Sequence, residues 1–304
     1  MTEDVGWTPT EGVVRHVGSP MLSDLEFFIA PPPEIGTIVS ADSTLTGLQQ
    51  LKITQKRLRN CLLWGGGGAA IGCYFALRTE LPLLICVLIW GAIGITVALL
   101  TSQYFHQCSY IGELGLSLHT LKGRHSAHPK TQIFLFQNGK NLFTQQTRNY
   151  YNGVYTGTTF NYRWTQLSGP EFRLKGAYRS KEGNPPAENL YHFAQAAEAR
   201  WSAHLLPIVS EQLNQRGFVE FPIGQTLRVV RIGSGFMEFE EKDGAHRVEV
   251  ADMKDIRLGG GIFQFKHRDS TWWSGKGKYS FGYSAIPNAR LFLICLEKLT
   301  GIRW

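Results

Sequence analysis

The pattern of apolar and polar positions divides the chain into three regimes. Residues 1–50 scatter short apolar clusters among acids and prolines, including Pro31-Pro32-Pro33, and hold no sustained period. Such a stretch predicts a largely irregular N-terminal tail, touching the body near Leu25 to Ile29. From Cys61 to Leu100 nearly every position is apolar. Cys61–Leu77 is a run of 17 residues without a charge, and Leu81–Leu100 is a run of 20 whose only hydroxyl is Thr96. At a rise of about 1.5 Å per residue these cover roughly 26 and 30 Å, near the hydrocarbon thickness of a bilayer. Only Arg78-Thr79-Glu80 separates them, so residues 51–107 are expected to form a transmembrane helical hairpin. Within it, Gly65/Ala69 and Gly68/Gly72 make a smooth face for close helix packing, against the second helix or another copy of the chain in a homo-oligomer. The same glycines resemble a nucleotide-binding fingerprint, but no strand–turn–helix context surrounds them and no Lys follows.

After Tyr110 the period shortens to that of strands. Leu116–Leu121, Gln132–Phe136, Thr158–Trp164 and Glu171–Lys175 read as strands separated by Gly, Asn and Pro. Ala187–Gln215 then turns helical, with Leu190, Phe193, Ala197, Trp201, Leu205, Ile208 and Leu213 at three- and four-residue steps. Gly217 stops that helix, and Pro207 is expected to kink or interrupt it. A second cycle repeats the order: strands at Leu227–Ile232, Phe236–Glu240, His246–Val250 and Ile262–Lys266, then a helix over Asn288–Leu299. The domains so drawn are 108–216 and 217–304. Strands closed by a helix, twice over, predict an α+β chain whose body is two antiparallel barrels of the pleckstrin-homology-like kind.

Charge changes the picture next. Residues 1–50 hold Arg15 against seven acids, a net of −6, while residues 108–304 hold 25 Lys/Arg against 16 Asp/Glu, a net of +9. A basic body beside a membrane suits anionic lipid or an acidic partner. Lys52, Lys56, Arg57 and Arg59 precede the first apolar run and Arg78 alone marks its tip, which puts both termini in the cytoplasm by the positive-inside rule. The five cysteines show no CxxC pair and no zinc spacing, which fits a reducing compartment.

One segment carries a family resemblance. Asn149-Tyr-Tyr-Asn-Gly-Val-Tyr-Thr-Gly-Thr-Thr-Phe-Asn-Tyr162 is similar to a motif in a functionally uncharacterised family of two-transmembrane, mostly bacterial proteins. Val219–Gly224, Ala285–Asn288 and Leu291-Phe292 look like that family's second module. The chain departs where such modules often begin their third strand with Trp, having Gln132 or His246 nearby instead. The resemblance implies tandem pleckstrin-homology-like modules at a bacterial plasma membrane, the motif lying in a long hairpin, and brings no established activity with it.

Candidate chemistry is sparse. His119, His125 and His128 cluster with Lys122 and Arg124, but without carboxylate or thiolate support they read as a wet basic loop, so no metal is expected. No GxSxG elbow, HExxH helix or poised carboxylate pair occurs; Ile232–Phe236 reads as a tight turn, and neither a catalytic residue nor a cofactor is assigned. Two surfaces remain. Trp272 and Trp273 followed by Lys276 and Lys278 suit an anionic headgroup, the rings at the interface and the ammoniums on phosphate. Arg148, Tyr150, Tyr151, Tyr155, Tyr162 and Arg163 make an aromatic–basic ribbon typical of protein contacts. No RNA-binding fingerprint accompanies it, so nucleic acid is not an expected partner. The expectation is a membrane-anchored, cytoplasm-facing, non-catalytic adaptor for a protein partner, with a peripheral sensor of anionic lipid as the alternative and a membrane-bound enzyme as a distant one.

Overall fold

A computed structural model describes residues 6–45, 47–79, 81–101, 105–122, 129–180, 184–223, 229–241, 244–270 and 277–303. The chain forms two compact units, one of Met1–Pro33, Ile38–Tyr110 and Ser117–Gln132, the other of Glu34–Thr37, Ile111–Leu116 and Ile133–Trp304.

In chain order the first elements are strand β1 (Ile38–Ser43), helices α1 (Gly47–Arg78) and α2 (Leu83–Thr101), and strands β2 (Phe105–Gly112), β3 (Gly115–Lys122) and β4 (Lys130–Leu135). The four strands pair in sequence order as an open sheet. The N-terminal region thus contributes a strand where the sequence suggests irregular chain. Val14 bridges Ser40, and Arg15 is buried against Asp42, Nη2 to Oδ2 3.0 Å. Phe27 is buried edge-on to Trp7, ring centroids 5.0 Å apart, and the Tyr110 hydroxyl donates to the carbonyl of Ile29. Aromatic packing and one ion pair hold this segment, because six acids in excess cannot hold themselves.

Helices α1 and α2 run antiparallel and pack on their small residues. A Cβ at Gly65 would lie 2.9 Å from Ile95 Cγ1, and one at Gly72 2.5 Å from the carbonyl oxygen of Cys86. A Cβ at Gly68 would strike the Trp90 carbonyl, and one at Gly94 the Trp64 carbonyl. Ala69 is half-buried beside them. The neighbour of the glycine face is therefore α2 of the same chain. The expected transmembrane pair is corrected, however: among the described residues only α2 is long and apolar enough to cross a membrane. In α1, Lys52, Lys56, Arg57 and Arg59 crowd the first half and four successive glycines dilute the second.

The following elements are β5 (Gly139–Tyr151), β6 (Val154–Gln166), β7 (Phe172–Tyr178) and α3 (Leu190–Arg216). Then come β8 (Phe218–Pro222), β9 (Val229–Gly233), β10 (Phe236–Glu241), β11 (Gly244–Glu249), β12 (Met253–Gly259), β13 (Ile262–His267), β14 (Lys278–Gly282) and α4 (Ala289–Thr300). They build three further open sheets, ordered β5-β6-β7, β11-β10-β9-β8 and β12-β13-β14. The expected closed barrels are therefore corrected to separate open sheets. The ladders break at two short 3-10 turns, Phe136–Asn138 between β4 and β5 and Val250–Asp252 between β11 and β12. Next to the second turn, β12 shifts register between Lys254 and Arg257, with Asp255 in a left-handed conformation (φ 53°).

Helix α3 starts where Asn189 Oδ1 accepts the Tyr191 N–H at 3.0 Å and ends on Gly217 at φ 74°. Of the kink or interruption expected at Pro207, the interruption does not occur: the helix continues through it to Arg216. Phe193, Ala194, Ala197 and Trp201 bury its inner face. The Trp201 ring lies 5.7 Å from Phe134 and 5.8 Å from Phe136, and Gly139 keeps space open for it, since a Cβ there would sit 2.5 Å from Trp201 Cη2. The C-terminal core joins Val230, Met237 and Phe239 to Phe263, Phe265 and Tyr279, with Leu291, Phe292 and Leu296 of α4 closing it. On the outer face of β9, Arg231 is gripped by Glu220, Glu238 and Glu240 at 2.9, 2.6 and 2.6 Å, so part of the basic excess is consumed internally.

Candidate functional site

The long β5–β6 hairpin carries the aromatic–basic ribbon. Its turn is Asn152-Gly153, both at positive φ (48° and 77°), which suits the tight primed turn that matches strand twist. Strand β7 pairs with β6 only over Thr158–Trp164, so the outer part of the hairpin is a two-stranded ribbon projecting past its sheet. Every β5 residue from Gln145 to Tyr151 is exposed, and Asn149, Tyr150 and Tyr151 lie beyond the stretch that β7 covers. Tyr150 pairs with Tyr155, ring centroids 5.9 Å apart, and Tyr150, Tyr151 and Val154 are 60%, 72% and 63% exposed.

The structure divides the predicted ribbon. Arg148, Tyr150 and Tyr151 share the exposed tip, and Tyr155 is half-buried with its hydroxyl 2.8 Å from Thr158 Oγ1. Arg163 is engaged away from the tip, bonded to Glu171 at 2.9 Å and lying over the Phe143 ring at 4.8 Å. Tyr162 is corrected from surface to core: it is 5% exposed, on the inward face of β6 with Phe160 and Trp164. Adjacent strand residues point to opposite faces, so Tyr162 and Arg163 cannot serve one surface.

Of the proposed headgroup site, Trp272, Trp273 and Lys276 lie outside the described residues. Lys278 opens β14 opposite Lys266 and is half-buried. His125 and His128 also lie outside the described residues. His119 is no loop residue: it is buried in β3, its ring nitrogens 3.0 Å from Thr131 Oγ1 and 3.3 Å from Ser117 Oγ, edge-on to Tyr110. Burial pushes its pKa down to about 4. No group of three His, Cys, Asp or Glu suited to a metal occurs among the described residues.

A second site was not foreseen. Thr144, Gln145 and Gln146 of β5, Tyr162 of β6, Tyr191, Gln195 and Glu198 of α3, the Leu258–Gly261 hairpin, Tyr283 and Leu293 of α4 enclose a cleft of about 410 Å³. One wall is fixed by hydrogen bonds. The Tyr191 hydroxyl donates to Gln146 Oε1 (3.0 Å) and accepts from Gln195 Nε2 (2.9 Å), while Gln146 Nε2 donates to the Tyr178 hydroxyl (2.9 Å). The rings of Tyr162 and Tyr191 stand at 77° to one another. Glu198 is 8% exposed, and burial pushes its carboxyl up to about 7, with Arg290 pulling it back. Burial also raises Tyr162 and Tyr191, and takes Tyr283 up to about 12. The Thr144 hydroxyl is buried without a hydrogen-bond partner among the described residues. The signal in the sequence was Tyr191, Gln195 and Glu198, a polar row at i, i+4 and i+7 on a helix read only for its apolar row.

Comparison with known protein families and with curated proteins finds no match. The functional reading therefore rests on the geometry of these two sites.

Proposed function

We propose that the chain is a membrane-anchored adaptor that presents the tip of the β5–β6 hairpin to a protein partner. The observation that carries this reading is the free ribbon itself. Two tyrosines and a valine, each more than half exposed, crown a two-stranded segment with no third strand beside it among the described residues. Large side chains grouped in this way at one tip, unlike single scattered ones, suit a contact surface, and a ribbon edge adds backbone donors and acceptors for a partner strand. The anchor in this reading is α2, whose Leu84, Leu88 and Leu100 are 71%, 62% and 63% exposed and would be covered by lipid. The basic cluster Lys56, Arg57 and Arg59 in α1 supports a cytoplasm-facing body at an anionic leaflet.

The test is a photo-crosslinking amino acid placed at Tyr151 in the full chain, in cells, compared with the Tyr150→Ser/Tyr151→Ser variant carrying the crosslinker at Val154. The expected outcome is a discrete protein adduct from the first and its loss from the second. Adducts to lipid alone, or an adduct unchanged in the double serine variant, would overturn the adaptor reading. Salt-sensitive sedimentation of the detergent-free chain with anionic but not neutral vesicles would favour a lipid sensor instead.

A further inference from the structure

The cleft around Glu198 answers to a different ligand chemistry from the hairpin. We infer that it binds an organic ammonium cation, the charged head against the Glu198 carboxylate and the rings of Tyr162, Tyr191 and Tyr283 around it.

Four observations carry this. The cleft, at about 410 Å³, falls within the range of small-ligand sites. Its one acid is 8% exposed, and among the described residues no hydrogen bond to its carboxylate offsets that burial, the Arg290 charge alone acting in its favour. A buried carboxylate without a partner is costly, and a bound cation removes that cost. Beside Thr144 and three glutamines, the lining holds Tyr162, Tyr191, Tyr283, Leu258 and Leu293 and no second charged residue, and tyrosine faces attract a cation through their quadrupole. Finally, two of the three lining amides donate within the wall, Gln146 to Tyr178 and Gln195 to Tyr191, rather than into the cleft. Thr144 Oγ1, buried in the same wall and acting on the Tyr283 hydroxyl, can also accept from an ammonium N–H or a ligand hydroxyl.

A metal ion fits poorly. Hard cations take six or more oxygen ligands with several carboxylates, and the cleft offers one carboxylate beside Leu258 and Leu293. An alkylammonium spreads its charge over methyl or methylene groups that the leucines and tyrosine rings accept. The groups facing Glu198 are Tyr191 on its own helix, Tyr162 on β6, Tyr283 before α4 and Arg290 on α4. Of these only Arg290 is charged near neutrality, and it is exposed. Binding should therefore follow the ionisation of Glu198.

The test uses the full chain in mild detergent and calorimetric titration with choline, set against its uncharged analogue in which carbon replaces the nitrogen. Choline is expected to bind at pH 8 with a dissociation constant of about 1 mM or tighter, and the neutral analogue at least tenfold more weakly. Affinity for choline should fall roughly thirty-fold from pH 8 to pH 5.5, since only the ionised acid binds. Glu198→Gln should abolish the preference for charge, and Tyr283→Ala should weaken choline severalfold without touching the acid. Glycerophosphocholine, titrated in parallel, distinguishes a lipid headgroup from a free cation as the source: tighter binding than choline points to the headgroup, weaker to the free cation. Equal affinity for charged and neutral analogues, pH-independent binding, or no heat with choline up to about 10 mM would overturn the inference. The wild-type pH series and Tyr283→Ala keep it open to refutation should Glu198→Gln fail to fold. Photo-crosslinking at the hairpin reports on neither outcome, so the two readings fail separately.

Discussion

Asn288 Oδ1 accepts the indole N–H of Trp201 at 2.8 Å and, with the same oxygen, the backbone N–H of Leu142 at 2.9 Å. The Asn288 N–H in turn donates to the Leu142 carbonyl at 2.7 Å. One carboxamide thus joins α3, β5 and the entry of α4, and those three elements are the ones that supply most of the cleft. Asn288 does this from a left-handed conformation, φ 55°, which Asn tolerates better than most residues.

Asn288→Ala is expected to destabilise this unit by about 2–4 kcal/mol, because it leaves two donors unsatisfied and replaces Asn at positive φ by a residue that tolerates that conformation less well. Asn288→Gly relieves the backbone but not the donors, so it should fall between Ala and wild type. Asn288→Asp keeps the acceptor and should cost least. Thermal melting followed by tryptophan fluorescence ranks the three. Equal losses for Ala and Asp would show that the oxygen does not matter.

Much of this architecture could be read from residue patterns, and the failures have specific causes. Both later helices and eight strands follow from periodicity, since Phe160, Tyr162 and Trp164 alternate as a half-buried strand must. Strand β12 was missed because its register shift at Asp255 breaks the alternation, and β1 because its pairing partner lies more than sixty residues away. Sheet closure was misjudged because the two 3-10 turns carry no distinctive composition. The cleft was missed for a different reason. Glu198 looks like a solvent-facing helix acid, and only the arrival of β6, Tyr283 and α4 over it makes it buried.

The stability of the same unit should respond to the Glu198 proton. A free glutamate titrates at 4.5 and Glu198 at about 7 when folded, so between those values the folded chain holds a proton that the unfolded chain has released. Stability is undiminished below about pH 4.5, declines as pH rises towards 7, and is lower above 7 by on the order of 3 kcal/mol. Glu198→Gln removes the decline, so the variant should melt above wild type at pH 8 and near it at pH 5. A wild-type profile that is flat between pH 5 and 8 would contradict the burial of an unpartnered acid.

His119 should produce the opposite slope in the unit that contains it. Its folded pKa of about 4 lies below the ordinary 6.5, so the unfolded chain takes up a proton first as pH falls. The contribution is complete above about 6.5 and lost progressively towards pH 4, by on the order of 3 kcal/mol. His119→Gln retains hydrogen-bonding capacity towards Thr131 and Ser117 while removing the titration. Protection factors of β3 amides, which allow for the slower intrinsic exchange in acid, are expected to fall between pH 7 and 4 in wild type and not in the variant. An equal fall in both would assign the acid sensitivity to another group.

The helical hairpin makes a prediction within a single run of four glycines. Gly66 has nothing within 4 Å of where its Cβ would stand, whereas a Cβ at Gly68 would meet the backbone of Trp90 in the facing helix. Backbone cannot swing aside as a flexible side chain can, so the helices must separate to admit even a methyl group. Gly66→Ala should therefore be neutral or gain up to about 1 kcal/mol from helix propensity. Gly68→Ala trades that same gain against lost close packing and should come out destabilising, and Gly68→Val should cost about 2 kcal/mol or more. Gly94→Val, which meets the Trp64 carbonyl from the other helix, should match it. Denaturant melting in detergent, read from Trp64 and Trp90 fluorescence, measures the difference. If Gly66→Ala and Gly68→Ala shift the midpoint alike, the glycines serve α1 alone and the packing face between α1 and α2 is not the source of the hairpin's stability.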